Sequence, residues 1–195
     1  NKMGWWTSNY IEAGGFAQTK YANTEYPDVQ FHFTSIYRSH RGKKFEFGHG
    51  YSLFTCLLNP HSTGSIKLNR DGSKFKLLID QNFLSDPRDE TIIIEAVKKA
   101  REVLLSTEFD EVRGIEMAPG KTVQSDQEIL EYIRKTALTV YHPVGTCKMG
   151  IDELAVVSPE NLKVKGMNNL RVIDASIMPT IVSGNTSAPT MMIAE

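Results

Sequence analysis

Two hydrophobic rhythms follow one another through the first two thirds of this chain, and their order is the strongest constraint on its fold: period two from Val29 to about residue 80, then a helical period from residue 86. From Val29 the apolar positions alternate, with Val29, Phe31 and Phe33 on one face and Gln30 and His32 on the other, which predicts a half-buried strand. Tyr51 to Leu58 predicts a second. Ile66 and Leu68, the turn-forming run Asn69-Arg70-Asp71-Gly72-Ser73, and then Phe75, Leu77 and Ile79 predict a β-hairpin. The first 25 residues carry Gly14-Gly15 and no sustained period, so they read as loop with one short strand.

Asp86 before Pro87 supplies an N-cap and a first helical residue, after which Ile93, Val97, Ala100 and Leu104 recur along one stripe. This predicts a helix from Pro87 to Ser106. Ser125 and Glu128 have the capping-box spacing, and Ile129, Ile133 and Ala137 follow on one face of a second helix ending near Ala137. Three short β-like runs come next, Leu138 to Tyr141, Leu162 to Val164 and Leu170 to Ile173, punctuated by Gly145, Gly150, Gly166 and Gly184. Pro189 to Glu195 opens an apolar helix without the glycine or cationic last turn that normally closes one, which reads as a helix cut short. Strands followed by helices define an α+β class, an antiparallel sheet with helices on one side.

With 22 basic and 23 acidic residues the formal net charge is -1 and no basic run occurs, so nucleic acid and anionic membrane surfaces are not the expected partners. No apolar stretch approaches the roughly 20 residues of a membrane span. Asn1 to Trp6 lacks the apolar run of a signal peptide, but a start further upstream would remove the force of that observation, and the compartment stays open. Cys56 and Cys147 have neither the spacing of a zinc site nor that of a redox pair; they read as core thiols rather than a bridge, and no metal site is expected.

Five histidines are available for chemistry. His32 lies on the polar face of its strand, and His40, His49 and His61 lie among charged or turn residues without a second ligand at metal spacing, so each reads as a packing or solvent-facing residue. His142 differs. It follows the apolar Leu138 and Val140 and precedes Pro143 and Gly145, where a strand gives way to a tight turn and a side chain is aimed into a cleft. A strand-end histidine satisfied by a backbone carbonyl is the competing reading, and local physics leaves both open. Asn185, after Gly184, reads by itself as a turn residue.

Two long segments change that balance: Tyr141-His142-Pro143-Val144-Gly145-Thr146-Cys147-Lys148-Met149-Gly150, and Asn169-Leu170-Arg171-Val172-Ile173-Asp174-Ala175-Ser176-Ile177-Met178-Pro179 continuing through Ser183-Gly184-Asn185-Thr186 to Glu195. Together they resemble the glucose-methanol-choline (GMC) oxidoreductase family, in an insect glucose dehydrogenase-like flavour. Weaker echoes occur at Tyr26 to Phe31 and Asp80 to Leu84, so the resemblance covers nearly the whole chain. It implies that residues 1–25 lead from an upstream domain, that 26–168 form the family's C-terminal substrate-binding domain, and that 169–195 are a return strand and helix start of the FAD-binding domain.

The resemblance also implies roles. The histidine of the first motif, here His142, takes the proton of a substrate hydroxyl while hydride passes to flavin, a task suited to an imidazole, which can accept a proton at working pH. The family's second position, histidine or asparagine, falls on Asn185, whose amide can donate to an alkoxide and accept from an alcohol. Asp174, Ala175, Asn185 and Thr186 are placed beside FAD, with the start of the last helix offering partial positive charge to the reduced ring. Gly145 and Thr146 are architectural. The implied partners are a small-molecule alcohol and an acceptor, oxygen or quinone; an extracellular location is compatible with the family.

One departure is large: the Gly-x-Gly-x-x-Gly loop that cradles a dinucleotide pyrophosphate does not occur in this chain. The chain therefore resembles roughly the last third of a longer flavoenzyme. Alone, it is expected to bind FAD weakly or not at all; a titration giving submicromolar affinity and a resolved flavin spectrum would overturn this. Two alternatives remain from sequence, a truncated paralogue or binding module that has lost FAD, and a flavin-containing lyase whose histidine shuttles a proton on a cyanohydrin. A Gly-x-Gly-x-x-Gly strand-turn-helix encoded upstream separates the enzyme from the relic.

Overall fold

The computed structural model describes residues 9–22, 24–36, 49–71 and 74–195. His40, the turn residues Gly72 and Ser73, and the Asn1 to Trp6 segment lie outside the described residues. The contacts divide the chain into two compact units, Asn1–Leu57 with Asp86–Leu138, and Leu58–Ser85 with Thr139–Glu195.

The first unit is a three-stranded antiparallel sheet with helices on it. Its strands are β1 (Ala13–Ala17), β2 (Val29–Thr34) and β3 (Ser52–Leu57), in the order β1-β2-β3. The sequence alternation is realised on the central strand, where Val29 and Phe31 are buried and Gln30 and His32 are half-buried. Opposite faces follow from the pleat, and the register pairs Gln30 with Cys56 and His32 with Phe54. The β1–β2 connection is closed by Asp28, whose carboxylate accepts both the N–H and the hydroxyl of Thr19.

Helix α1 (Pro87–Leu104) packs on β3 and β2, and α2 (Asp126–Thr136) packs on α1. Asp86 caps α1 as its sequence predicts, accepting the N–H of Arg88. The buried stripe of α1 is Asp89, Ile93, Ala96 and Ala100, turned from the expected Val97 and Leu104, which are half-buried. Two alanines at the contact let the helix axis approach the sheet more closely than larger side chains would allow. The capping box of α2 is complete, with Ile129 and Ile133 buried. Ser125 and Gln124 N–H groups hold the exposed Glu128 carboxyl below its ordinary range. The long connection between the helices is gathered by Arg101, which donates to Glu116 at 2.8 Å and to the carbonyls of Gly120 and Val123 at 3.2 and 2.8 Å.

In the second unit, β4 (Ser65–Asp71) and β5 (Lys74–Asp80) form the expected hairpin, with Ile66 opposite Ile79 and Leu68 opposite Leu77. The apolar face is not buried: Ile66, Leu68, Phe75, Leu77 and Ile79 are each more than half exposed. Alternation reports which side chains share a face, and not whether anything in this chain covers that face. The end of the chain forms α3 (Ser187–Ala194), two residues earlier than Pro189.

The three expected β-runs after Ala137 are corrected by the structure. Leu138 to Tyr141 is not a strand; Tyr141 has φ +66 and donates its N–H to the Thr139 hydroxyl, a bend incompatible with extended pairing, and Pro143 brings no N–H to a ladder. The other two runs make only single bridges, Val157 with Val164 and Lys163 with Arg171. Left-handed residues at Leu162, Gly166 and Asn169 interrupt them.

Candidate functional site

All the residues expected to carry chemistry, His142, Asp174, Ala175, Asn185 and Thr186, belong to the second unit. What joins the two motifs is backbone. Cys147 donates its N–H to the Ser176 carbonyl at 2.9 Å and Met149 to the Ile177 carbonyl at 2.7 Å, so the run after His142 lies along the run after Asp174. Behind them, Val157, Ile177 and Met178 are buried and fix the pair of segments against a shared core.

His142 is half-buried, directly after the left-handed Tyr141 and before Pro143. It is therefore set by a turn rather than by the end of a strand. Gly145 has φ +86, a conformation that favours glycine, while a Cβ there would make only ordinary contact, 3.4 Å from the Met178 carbonyl oxygen.

The Asp174 carboxylate serves its own backbone. It accepts the Ser176 N–H at 2.8 Å and caps a single 3-10 turn, Ala175–Ile177. The Ser176 hydroxyl and then its N–H hold this carboxyl below its ordinary range. Beyond Pro179 the chain runs without regular structure through Ser183, Gly184 and the exposed Asn185, and Thr186 is buried at the start of α3.

No side chain caps α3. Pro189 has no N–H, which leaves the first-turn N–H groups of Ser187 and Ala188 as the donors that an external acceptor would meet. An uncapped helix start beside Asn185 fits the electron-rich edge of a flavin. Among the described residues no group of three or more His, Cys, Asp or Glu side chains is placed to hold a metal ion, and no helix is long and apolar enough to cross a membrane. Cys56 and Cys147 are both free thiols; Cys56 lies 3.8 Å from His32 Nε2, and burial pushes its thiol up.

Sequence reasoning missed Asn59. Its carboxamide meets Ser183 across 124 residues of sequence, donating to Oγ at 3.0 Å and accepting from it at 3.2 Å. The only local signal was an Asn-Pro pair, which marks a turn and nothing more.

Comparison with known proteins shows the family. The family described as GMC oxidoreductase, in its C-terminal part, matches residues 60–194. An alcohol dehydrogenase [acceptor] of Pseudomonas putida is 45% identical over 194 residues, covering 100% of this chain and 35% of the relative. An oxygen-dependent choline dehydrogenase of Staphylococcus epidermidis is 41% identical over 190 residues, covering 96% of this chain and 33% of the relative. The solved structure of pyridoxine 4-oxidase from Mesorbium loti superposes with a TM-score of 0.83 at 29% identity, covering 95% of this chain and 36% of that one. This chain belongs to the GMC oxidoreductase family, whose C-terminal part it matches. It spans about a third of the length of the curated relatives it matches.

Proposed function

We propose that this chain is the substrate-side portion of an FAD-dependent enzyme that oxidises the CH–OH group of a small alcohol, with His142 as the base. The observation that carries the reading is the backbone pairing of Cys147 and Met149 with Ser176 and Ile177, which ties the histidine motif to the segment leading to Asn185. In this reading residues 1–25 lead in from a preceding domain, 26–168 form the substrate-binding part, and 169–195 begin the return to the flavin-binding part.

His142, held by the Tyr141 bend and Pro143, takes the hydroxyl proton, and Asn185 holds the same oxygen with its carboxamide. The backbone at Asp174-Ala175 and the N–H groups at the start of α3, with Thr186 buried at its cap, would hold the ring. When bound, FAD supplies the acceptor for the hydride leaving the carbinol carbon. A rigid setting for base and amide matters because proton removal assists only when the oxygen stays within hydrogen-bond reach of both. The relatives' names point to alcohols, choline among them, and the electrons then pass to oxygen or to a quinone or other acceptor.

The test is anaerobic. An FAD-loaded enzyme containing this segment, mixed with a panel of primary and secondary alcohols that includes choline, is expected to lose its oxidised flavin absorbance with at least one of them. Retention of the oxidised spectrum with every alcohol, together with cleavage of a cyanohydrin, would replace oxidation by the lyase reading.

A further inference from the structure

We propose that Asn59 is a positioning residue for Asn185, acting through Ser183; this rests on the reading of Asn185 as the amide that holds the substrate oxygen.

The two sides of the Asn59–Ser183 contact are unequally anchored. The segment bearing Asn59 is built into the fold: Leu58 is buried, the Asn82 amide donates to the Thr63 carbonyl at 2.9 Å, and a Cβ at Gly64 would lie 2.3 Å from the Asp80 carbonyl oxygen, so the chain there runs hard against the end of the hairpin. The segment bearing Ser183 is different. Residues 179–185 have no regular structure, and their own backbone provides one bond, from the Gly184 N–H to the Val182 carbonyl at 2.8 Å. A Cβ at Gly184 would meet nothing within 4 Å, so no neighbour packs on that side of the turn.

Across 124 residues of sequence, Asn59 faces the Ser183 hydroxyl with both ends of its amide, Nδ2 donating and Oδ1 accepting. Both bonds converge on the one Ser183 oxygen, so the hydroxyl is held against the amide by two contacts where either alone would leave it more freedom. Asn185 is two residues further on. Its carboxamide must stay within about half an ångström of a productive position to hold an alkoxide, and the contact at Ser183 ties this turn to the anchored loop. Misplacement by about 1 Å is enough to lower a rate up to a hundredfold.

The experiment uses the FAD-loaded enzyme containing this segment and its best alcohol. Asn59→Ala and Ser183→Ala are each expected to lower kcat about tenfold with KM little changed, and the double variant to lose no more than either alone. In an Asn185→Ala background the Asn59→Ala effect is expected to vanish, which a general structural role for Asn59 would not produce. Ser183→Thr, which keeps the hydroxyl, is expected to retain most activity. If Asn59→Ala does not fold, Ser183→Ala reports alone. Unchanged kcat in Asn59→Ala, or a loss that persists in full without Asn185, overturns the inference and leaves the alcohol-oxidation reading standing. No loss in Asn185→Ala itself overturns the role of Asn185 instead.

Discussion

Replacing His142 by alanine in an FAD-loaded enzyme containing this segment is expected to lower kcat by about two orders of magnitude or more, the usual size of a lost general base, while the flavin spectrum stays. The loss should fall on the step that breaks the carbinol C–H bond. Without a group to accept the hydroxyl proton, hydride would have to leave a neutral alcohol and generate a protonated carbonyl, which is a much higher-energy product. In the proposed role His142 needs a fixed backbone as well as a basic ring. The left-handed Tyr141 and the ring of Pro143 restrict the backbone on both sides, and Gly145 adopts the positive φ of the run that follows. Rapid-mixing measurement of flavin reduction separates this from a defect in cofactor loading. Reduction at the parental rate would remove His142 from its role, whatever the steady-state turnover.

Ile177→Ala is expected to destabilise the second unit by about 2–5 kcal/mol, the range for truncating a buried isoleucine. Ile177 is fully buried, at 0% exposure, and its carbonyl accepts the Met149 N–H. Its side chain therefore holds the core beneath the junction of the two motifs, and a cavity there reaches both. Urea unfolding of the chain, followed by circular dichroism, gives the loss directly; a change below about 0.5 kcal/mol, the level of an inconsequential surface substitution, would show that the site does not rest on this residue.

Much of the fold was legible because local rules and tertiary packing coincide in the first unit. Asp86 caps α1, Ser125 and Glu128 close their box on α2, and Val29 and Phe31 are buried as their alternation demands. The later runs were not legible in the same way. Leu138 to Tyr141 has the apolar content of a strand, yet Tyr141 turns through a left-handed conformation that residue type alone disfavours. The hairpin shows the converse failure, with pairing correct and burial absent. Asp174 was legible as a motif residue, but only the structure shows its carboxylate capping the short turn that follows by accepting the Ser176 N–H.

The sequence by itself determined the strands and helices of the first unit, the hairpin of the second, and the family. Periodicity, caps and turn residues act within a few positions of one another, and the two long motifs carry the chemistry as residue types in a fixed order. Tertiary structure alone decided which segments meet: that the chain after His142 hydrogen-bonds to Ser176 and Ile177, and that Asn59 reaches Ser183. The reason is one of range. Hydrophobic period and capping are nearest-neighbour properties of the chain, whereas a contact across 124 residues depends on where the whole core places two loops, which no local pattern encodes.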